Sequence, residues 1–384
     1  MREATAPKEG GSVGGRARKP LRLLAVPLAV AGMLTLAPAS LATFDPAANY
    51  DVDDNPSAVA RGDFDDNGDA DLAVTSANDR TVTVLLGNGD GTFDDVGAGS
   101  YDVGVNPNAV AVGDLRDNGK LDIVTADTDD DKVSILRGRG DGTFRSAIRE
   151  RVGDTPRGVA LGDVTGDGDL DALVINSGED DVSLLRGKGD ATFRNKVDFG
   201  VGDNPRAIAI DDFDRDGRND FVAANDNDDD VTLRRGKAGG DFRGKENFDV
   251  GDSPVALTTG RFDGNSRPDI ATANSMGNDI SVLRGRSGGF RDHEEQDVGM
   301  QPRAIADADF NGDDDADLAV GNSDDDDVSV LDGNGDGTFD PPNDHMVGDF
   351  PLSLALGNYD GAVGPDIATA NAGDDSASIL LNAP

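Results

Sequence analysis

The acidic stretch GDFDDNGDADL, residues 62–72, returns six more times along the chain at a nearly constant spacing. The aspartates that end the copies are Asp71, Asp122, Asp171, Asp220, Asp269, Asp317 and Asp366, with successive gaps of 51, 49, 49, 49, 48 and 49 residues. Two further markers keep this period: a proline shortly before each acidic stretch and a phenylalanine that ends a glycine-rich turn such as GNGDGTF. A period of about 50 residues indicates one repetitive architecture of seven units rather than several unrelated domains.

Each unit contains short strand-like segments. In the first unit these are residues 58–60, 71–75, 81–86 and 93–103, which are bounded by Gly, Asn and Asp. The repeat region carries no sustained helical period. Four strands in about 50 residues match one blade of a β-propeller, and seven blades lie within the range of such rings. The sequence therefore predicts an all-β fold, a seven-bladed β-propeller of four-stranded antiparallel blades. An open solenoid is the alternative.

The two ends of the repeat region favour a closed ring. The seventh unit stops after its third strand, residues 377–384, without the glycine-rich turn and the fourth strand. The missing parts stand at the other end, where Thr43-Phe44 and a segment through Tyr50 precede Pro56. If this segment pairs with residues 377–381, it completes the last blade and covers both open sheet edges. We therefore predict one propeller domain over residues 43–384.

Residues 1–42 have the pattern of a secretory signal peptide. Four basic residues between positions 16 and 22 precede an apolar run over residues 23–36, and small residues then offer cleavage after Ala39 or Ala42. A membrane anchor is the alternative, but the run is shorter than the ~20 residues that a transmembrane helix needs. We expect a secreted, extracellular protein without a membrane span after cleavage, either free or associated with the cell surface. The chain has no cysteine, which excludes disulfides and thiolate metal sites.

The charge of the chain limits its partners. Asp and Glu number 75 against 35 Lys and Arg, which gives a net charge of -40 and argues against binding to nucleic acid or to anionic membrane surfaces. Acidic runs over residues 127–131, 225–230 and 322–327 follow the second strand of their units. In an up-and-down blade these runs lie on the face opposite to the acidic stretches. We expect that face to be strongly acidic, either as a solvated surface or as a site for a cationic partner or more calcium.

The motifs VSLLRGKGD, NGDGTF, VGDNP and GDVTGDGDLDALV together resemble the FG-GAP/VCBS repeats of secreted and cell-surface bacterial proteins, which are related to the seven-bladed head of integrin α subunits. The resemblance covers nearly all of the chain after residue 42, and three markers recur in register. It implies a calcium-stabilised propeller that is used in recognition or adhesion. It does not imply one conserved biochemical activity.

The acidic stretches have the composition of calcium loops. Oxygen-bearing side chains on alternate residues, with a glycine for a sharp turn, can wrap one Ca²⁺, which takes about 6–8 oxygen ligands. The resemblance implies that the ligands are side chains one, three, five and nine of each loop and the backbone carbonyl of residue seven. The sets are Asp63, Asp65, Asn67, Asp69 and Asp71 in loop 1; Asp163, Thr165, Asp167, Asp169 and Asp171 in loop 3; Asp212, Asp214, Asp216, Arg218 and Asp220 in loop 4; and Asp309, Asn311, Asp313, Asp315 and Asp317 in loop 6.

The other three loops depart from this pattern. Loop 2 keeps Asp114, Asn118 and Asp122, but Arg116 takes its third position. In loop 5 Arg261 takes the first position, and in loop 7 Asn358 and Ala362 take the first and fifth. We predict calcium in loops 1, 3, 4 and 6, a weaker site in loop 2 and none in loops 5 and 7, so about four or five ions. The alternative is that the aspartates only cap turns.

The residues do not favour an enzyme. The only histidines, His293 and His345, stand in different surroundings with no serine or cysteine nucleophile motif near them. The leading interpretation is a monomeric adhesion or interaction module whose partner is an unknown protein or glycan. A glycan-binding, lectin-like propeller is one alternative, although the chain has no tryptophan and only 3 tyrosines. A polysaccharide lyase or hydrolase is the other.

Overall fold

The computed structural model describes residues 42–94, 99–291 and 293–383. The predicted signal peptide lies outside these residues, apart from Ala42. Every regular element in the described part of the chain is a β-strand, and none of its segments is a helix that could cross a membrane. The strands form seven four-stranded antiparallel sheets, one for each repeat, and two small two-stranded ones. The predicted all-β propeller is confirmed.

The first strand of each blade lies nearest the axis and contacts the first strands of both neighbouring blades. The first strands are Pro56–Gly62, Pro107–Gly113, Pro156–Gly162, Pro205–Asp211, Pro254–Gly260, Pro302–Ala308 and Pro351–Gly357. The second strands are Asp71–Ser76, Asp122–Asp127, Asp171–Asn176, Asp220–Asn225, Asp269–Asn274, Asp317–Asn322 and Asp366–Asn371. Every residue of the second strands is buried, because the blades on either side cover both faces of each sheet. This explains their nearly continuous apolar sequences.

The third and fourth strands complete the blades toward the rim. The third strands are Thr81–Leu85, Lys132–Leu136, Asp181–Leu185, Asp230–Lys237, Asp279–Leu283, Asp327–Leu331 and Ser376–Leu380. The fourth strands are Gly99–Asp102, Ile148–Arg151, Val197–Gly200, Asp241–Asp249, Glu294–Asp297, Asn343–Met346 and Ala48–Asp51. Two short pairs, Thr43–Phe44 with Asn382–Ala383 and Gly285–Arg286 with Gly289–Phe290, brace the glycine-rich turns. The fourth strands are largely exposed and polar, as suits the edge of a sheet.

The ring closes as the sequence predicts. The N-terminal strand Ala48–Asp51 pairs antiparallel with the third strand of the seventh blade, with Tyr50 opposite Ala377. The first strand of the seventh blade also contacts that of the first blade. The last blade therefore contains both ends of the described chain, which leaves no open interface between blades.

The acidic loops are tied to the packing between blades. Residue two of each loop is a buried apolar side chain that packs against the phenylalanine of the glycine-rich turn of the next blade. Phe64 and Phe144 show this contact, with ring centroids 5.4 Å apart and an edge-to-face angle of 72°. The amide of Gly142 in the same turn donates to the carbonyl of Phe64 at 2.9 Å. A change in the shape of an acidic loop will therefore alter the packing of the glycine-rich turn in the next blade.

Each first strand begins with a β-bulge. The pairing with the second strand skips one residue after the initial proline in all seven blades. The skipped residues are Ser57, Asn108, Arg157, Arg206, Val255, Arg303 and Leu352. A bulge turns its side chain away from the regular alternation of a strand. All seven residues line the central channel, which has a volume of about 480 Å³.

Candidate metal-binding loops

Loop 1 folds into successive turns that its own side-chain oxygens stabilise. Asp63 accepts hydrogen bonds from the backbone amides of Asn67 and Gly68, at 3.1 and 3.0 Å. Asp65 accepts from the amide of Asn67 at 3.1 Å, and Asn67 accepts from the amide of Asp69 at 2.6 Å. Gly68 has a φ of 94°, a conformation that favours glycine. These turns hold the alternate side chains toward the inside of the loop.

Loops 1 and 4 bring carboxylates together. One oxygen from each of Asp63, Asp65 and Asp71 lies within 4.8 Å of the other two, and in loop 4 the same holds for three acids. The group in loop 4 consists of Asp212, Asp214 and Asp216. Among the residues that the structure describes, the other five loops form no such group of three. Of the four loops with predicted ligand sets, loops 1 and 4 are therefore the two whose carboxylates converge.

The last aspartate of each loop is also an anchor for the backbone. Asp71 is fully buried and accepts from the amides of Phe64 and Gly87, at 2.6 and 2.9 Å. Asp366 of loop 7, which lacks a ligand set, accepts in the same way from Tyr359 and Asn382, at 2.6 and 2.8 Å. The ninth position therefore has a structural role that requires no metal, and an aspartate there does not identify a metal site.

Burial and like charge destabilise the ionised form of these anchors. Burial, helped by the neighbouring charges of Asp65 and Asp63, raises the pKa of Asp71 to about 6 against the effect of the two backbone hydrogen bonds. Burial likewise raises the pKa values of Asp220 and Asp317 to about 6. The loops therefore concentrate negative charge that a cation would neutralise.

In loops 3 and 6 the first aspartate holds the turn with three amides. Asp163 accepts from the amides of residues 166, 167 and 168 at 2.6 to 3.2 Å, and Asp309 accepts from those of residues 312, 313 and 314 at 2.7 to 3.1 Å. Thr165 and Asn311 occupy the third positions, so each loop offers three ligand carboxylates, the same number as loop 1 and one fewer than loop 4. Asp314 has a φ of 72° where loop 1 has glycine, a strained conformation for a side chain with a Cβ.

In loop 2 an arginine side chain supplies a positive charge. The guanidinium of Arg116 donates to both oxygens of Asp122, from Nε at 3.0 Å and from Nη2 at 2.6 Å, and Nη2 also donates to the carbonyl of Gly138 at 2.8 Å. Its side chain is 16% exposed and the carboxylate is fully buried. The Asp122 oxygens that belong to the predicted weaker site are therefore engaged by an arginine.

Loops 5 and 7 close on themselves through amide side chains. In loop 5, which has Arg261 at its first position, Asn265 donates to Asp263 at 2.6 Å. In loop 7, Asn358 donates to the carbonyl of Ala362 at 2.6 Å. Loop 1 has a similar contact, because Asn67 donates to Asp65 at 3.2 Å, so this hydrogen bond alone does not set loop 5 apart. Among the described residues, loops 5 and 7 differ from loops 1 and 4 in having no group of three converging carboxylates. Loop 4 also has arginines at its rim, with Arg218 paired to Asp216 at 2.7 Å.

One group of residues does not follow from the acidic motif. The bulge residues Arg157, Arg206 and Arg303 stand in the channel beside the acidic face. The sequence predicts a strongly acidic face, and the structure adds three guanidinium groups at its centre. The dipeptide Pro-Arg, which recurs in register in three units, is the signal that identifies them.

The two histidines belong to different blades, the fifth and the sixth, and lie outside the channel. His293 contacts Glu295 at 3.0 Å at the surface. His345 packs edge-to-face on Phe44 with ring centroids 5.0 Å apart, and burial lowers the pKa of its imidazole. Neither histidine is among the residues that line the channel.

Comparison with known proteins places these features in a family. The model of the FG-GAP-like repeat matches residues 63–125, 117–174, 163–223 and 212–272, which together cover more than half of the chain. No curated protein matches the sequence.

Among solved structures, a streptogramin B lyase matches with a TM-score of 0.63 and 14% identity, over 90% of this chain and 100% of the lyase. BBS1N in complex with ARL6DN matches with a TM-score of 0.60 and 12% identity, over 88% of this chain and 97% of that one. An Agrocybe aegerita lectin that recognises non-reducing terminal N-acetylglucosamine matches with a TM-score of 0.51 and 18% identity, over 80% and 91%. At these identities the similarities establish the propeller fold alone. With its repeats matched in register and its seven blades, the chain belongs to the FG-GAP-like repeat family.

Proposed function

We propose that this protein is a secreted calcium-binding propeller that serves as an extracellular interaction or adhesion module. The observation that carries the calcium assignment is the convergence of three carboxylate oxygens in each of loops 1 and 4. Hard oxygen donors of this kind suit Ca²⁺, which accepts irregular geometry and many ligands. The ion would lie among Asp63, Asp65 and Asp71 in loop 1, with Asn67 and the carbonyl of Asp69 completing the set.

Loop 2 supports the proposal independently. The guanidinium of Arg116 binds both oxygens of Asp122, which is the position equivalent to Asp71. A buried carboxylate beside other acids needs a positive charge, and in the loop without a complete ligand set the chain supplies that charge itself. The same electrostatic need exists in loop 1, where three carboxylates converge and no arginine among the described residues contacts them.

The calcium assignment is tested by titration calorimetry with Ca²⁺ and with Mg²⁺. We expect Asp65→Asn and Asp214→Asn each to remove one calcium site. The matched control is Asp263→Asn, the same substitution at the third position of loop 5, which should leave the number of sites unchanged. Equal loss of binding in all three variants, or no binding by the original protein, would contradict the assignment. Tighter binding of Mg²⁺ than of Ca²⁺ would reject calcium as the ion.

The role in binding rests on the architecture. A rigid ring with short loops presents two broad faces, and the similar structures include one protein in complex with a partner protein and one that binds a glycan. We place catalysis second, because the histidines lie outside the channel and contact Glu295 and Phe44 rather than a nucleophile. The predicted leader over residues 1–42 supports an extracellular location.

A lectin-like function is less well supported. Sugar-binding sites usually stack an aromatic side chain on the sugar ring. Tyr359 is 1% exposed, Tyr50 packs on Phe93 and Tyr101 packs on Phe144. A glycan array probed in calcium and in EDTA separates the alternatives. Calcium-dependent binding to one class of glycan would establish the lectin, whereas turnover of a polysaccharide would establish a lyase or hydrolase and overturn our proposal.

A further inference from the structure

The centre of the acidic face contains a cluster of positive charge that calcium does not explain. Arg157, Arg206 and Arg303 come from the third, fourth and sixth blades, and each is the bulge residue after the first proline of its blade. The bulge directs all three side chains into the channel, where they line the same cavity. This placement is a property of the backbone, so the three guanidinium groups are held by the rigid inner ring.

These arginines have too few acceptors. Arg206 pairs with Asp226 at 2.8 Å, and Arg303 donates to the side chain of Gln301 at 3.0 Å. Arg157 makes no hydrogen bond or ion pair to any residue that the structure describes, and the buried Nε atoms of Arg157 and Arg303 have no acceptor. An unsatisfied buried donor costs about 1–3 kcal/mol. Two of the three arginines therefore have donors in the channel that no described residue accepts.

The electrostatics of the cluster agree with the geometry. Burial lowers the pKa of Arg157 and of Arg303, and the charge of Arg206 lowers both further. Asp129 and Asp226 near Arg157, and Asp226 and Asp324 near Arg303, oppose this effect without contacting either side chain. The guanidinium groups thus repel one another in a partly desolvated site, a repulsion that a bound anion would relieve.

We propose that this arginine triad, Arg157, Arg206 and Arg303, binds a small multivalent oxyanion at the mouth of the central channel. Guanidinium groups present planar forks of N–H donors that match the oxygens of phosphate and carboxylate groups. The channel measures about 480 Å³ and opens beside a depression of about 880 Å³, dimensions that suit a small molecule. Apolar residues such as Val159, Ile208 and Leu257 line the channel.

The carboxylates around the depression limit which anions can bind to the triad. Asp226, which pairs with Arg206 at 2.8 Å, and Asp324 line the depression beside the triad. An anion must therefore displace or share the contact of Asp226, and it must be compact enough to avoid Asp324. Large polyanions such as nucleic acid would meet the negative rim first and be repelled. The triad therefore favours a phosphate ester or a small polycarboxylate over a polymer. The site is separate from the calcium loops, which lie at the other end of the blades.

Calorimetry tests the proposal, with inorganic phosphate and with citrate as probes, at neutral pH in EDTA. Removal of calcium makes the result independent of the proposed metal sites. We expect binding of at least one probe, weakened about tenfold or more by Arg157→Gln and by Arg303→Gln. Arg286→Gln, which removes an exposed arginine from the glycine-rich turn of the fifth blade, is the matched control and should alter the affinity less than about twofold.

The outcomes distinguish a phosphorylated ligand from a polycarboxylate. Binding of phosphate alone would identify a phosphorylated ligand, binding of citrate alone a polycarboxylate, and binding of both the shared oxyanion chemistry. Because Arg157 lacks acceptors, we expect Arg157→Gln to unfold at the same temperature as the original protein or above it. The absence of binding with either probe would overturn the proposal. Unchanged affinity in both channel variants, or a lowered unfolding temperature of Arg157→Gln with unchanged affinity, would overturn it too.

Discussion

The substitution Asp127→Asn should stabilise the protein at neutral pH. Asp127 is the last residue of the second strand of the second blade, and its side chain is fully buried. At the equivalent position, five other blades have asparagine and the first blade has serine. It accepts hydrogen bonds from the hydroxyls of Thr125 and Ser134, at 2.7 and 2.5 Å. Burial nevertheless raises its pKa to about 6, although both hydroxyls and the nearby Arg149 favour the charged form.

The magnitude follows from this pKa. The unfolded chain binds the proton with a pKa of about 3.9, so the folded protein binds it more tightly by about two units. Ionisation of Asp127 therefore costs nothing below about pH 4, an increasing amount between pH 4 and 6, and about 3 kcal/mol above pH 6. Asparagine avoids this cost. Blade 5 has an amide at this position, where Asn274 accepts from Thr272 and donates to Ser281, each at 2.9 Å. Asn274 also donates to Asp279 at 2.6 Å, a position that is Lys132 in blade 2.

The assay is thermal unfolding of both proteins from pH 4 to pH 8 in EDTA, which keeps the metal content constant. At pH 7.5 we expect the variant to unfold about 4 °C higher, the shift that about 3 kcal/mol gives in a chain of this length. The difference should vanish toward pH 4. A destabilised variant at pH 7.5, or a gain independent of pH, would refute the reasoning. The reverse control, Asn274→Asp, places a second carboxylate beside Asp279 and should destabilise the protein at neutral pH.

Three further predictions concern the loops and the ring closure. Arg116→Asp should lower stability in EDTA by about 3 kcal/mol, because the buried Asp122 loses its partner, and should add one bound calcium ion; an unchanged metal count would contradict this. Asp366→Ala should cost about 2–4 kcal/mol in denaturant unfolding, equally with and without calcium, because two backbone amides lose their acceptor; a loss confined to calcium buffer would count against the anchor role. Removal of residues 42–52 should expose the last strand edge and cause aggregation in size-exclusion chromatography; a monomer of unchanged stability would disprove closure.

The period of the sequence was sufficient to predict the fold. The spacing of Asp71 and its equivalents predicts seven blades, and the displaced N-terminal strand predicts the closure that pairs Tyr50 with Ala377. Both predictions depend on patterns that repeat, in which each copy supports the assignment of the others. The signal peptide, the metal ligands and the monomeric state remain predictions.

The contacts within the loops could not be read from the pattern. The sequence shows that Arg116 replaces a ligand, but only the structure shows its guanidinium on both oxygens of Asp122. The sequence also does not distinguish an aspartate that binds a metal from one that anchors the backbone, because Asp71 and Asp366 end motifs of the same length. The bulges that aim Arg157 into the channel arise from strand register, which depends on pairing between strands rather than on local composition.

The central claim is that calcium stabilises this propeller by filling its acidic loops. The most direct measurement is thermal unfolding of residues 43–384 against free calcium, with the bound metal counted after dialysis. We predict about four retained ions and a marked rise in the unfolding temperature, since each occupied site adds about 2.7 kcal/mol at a hundred times its Kd. No retained metal and no shift would mean that GDFDDNGDADL and its copies are only acidic turns, and the calcium-dependent account would be wrong.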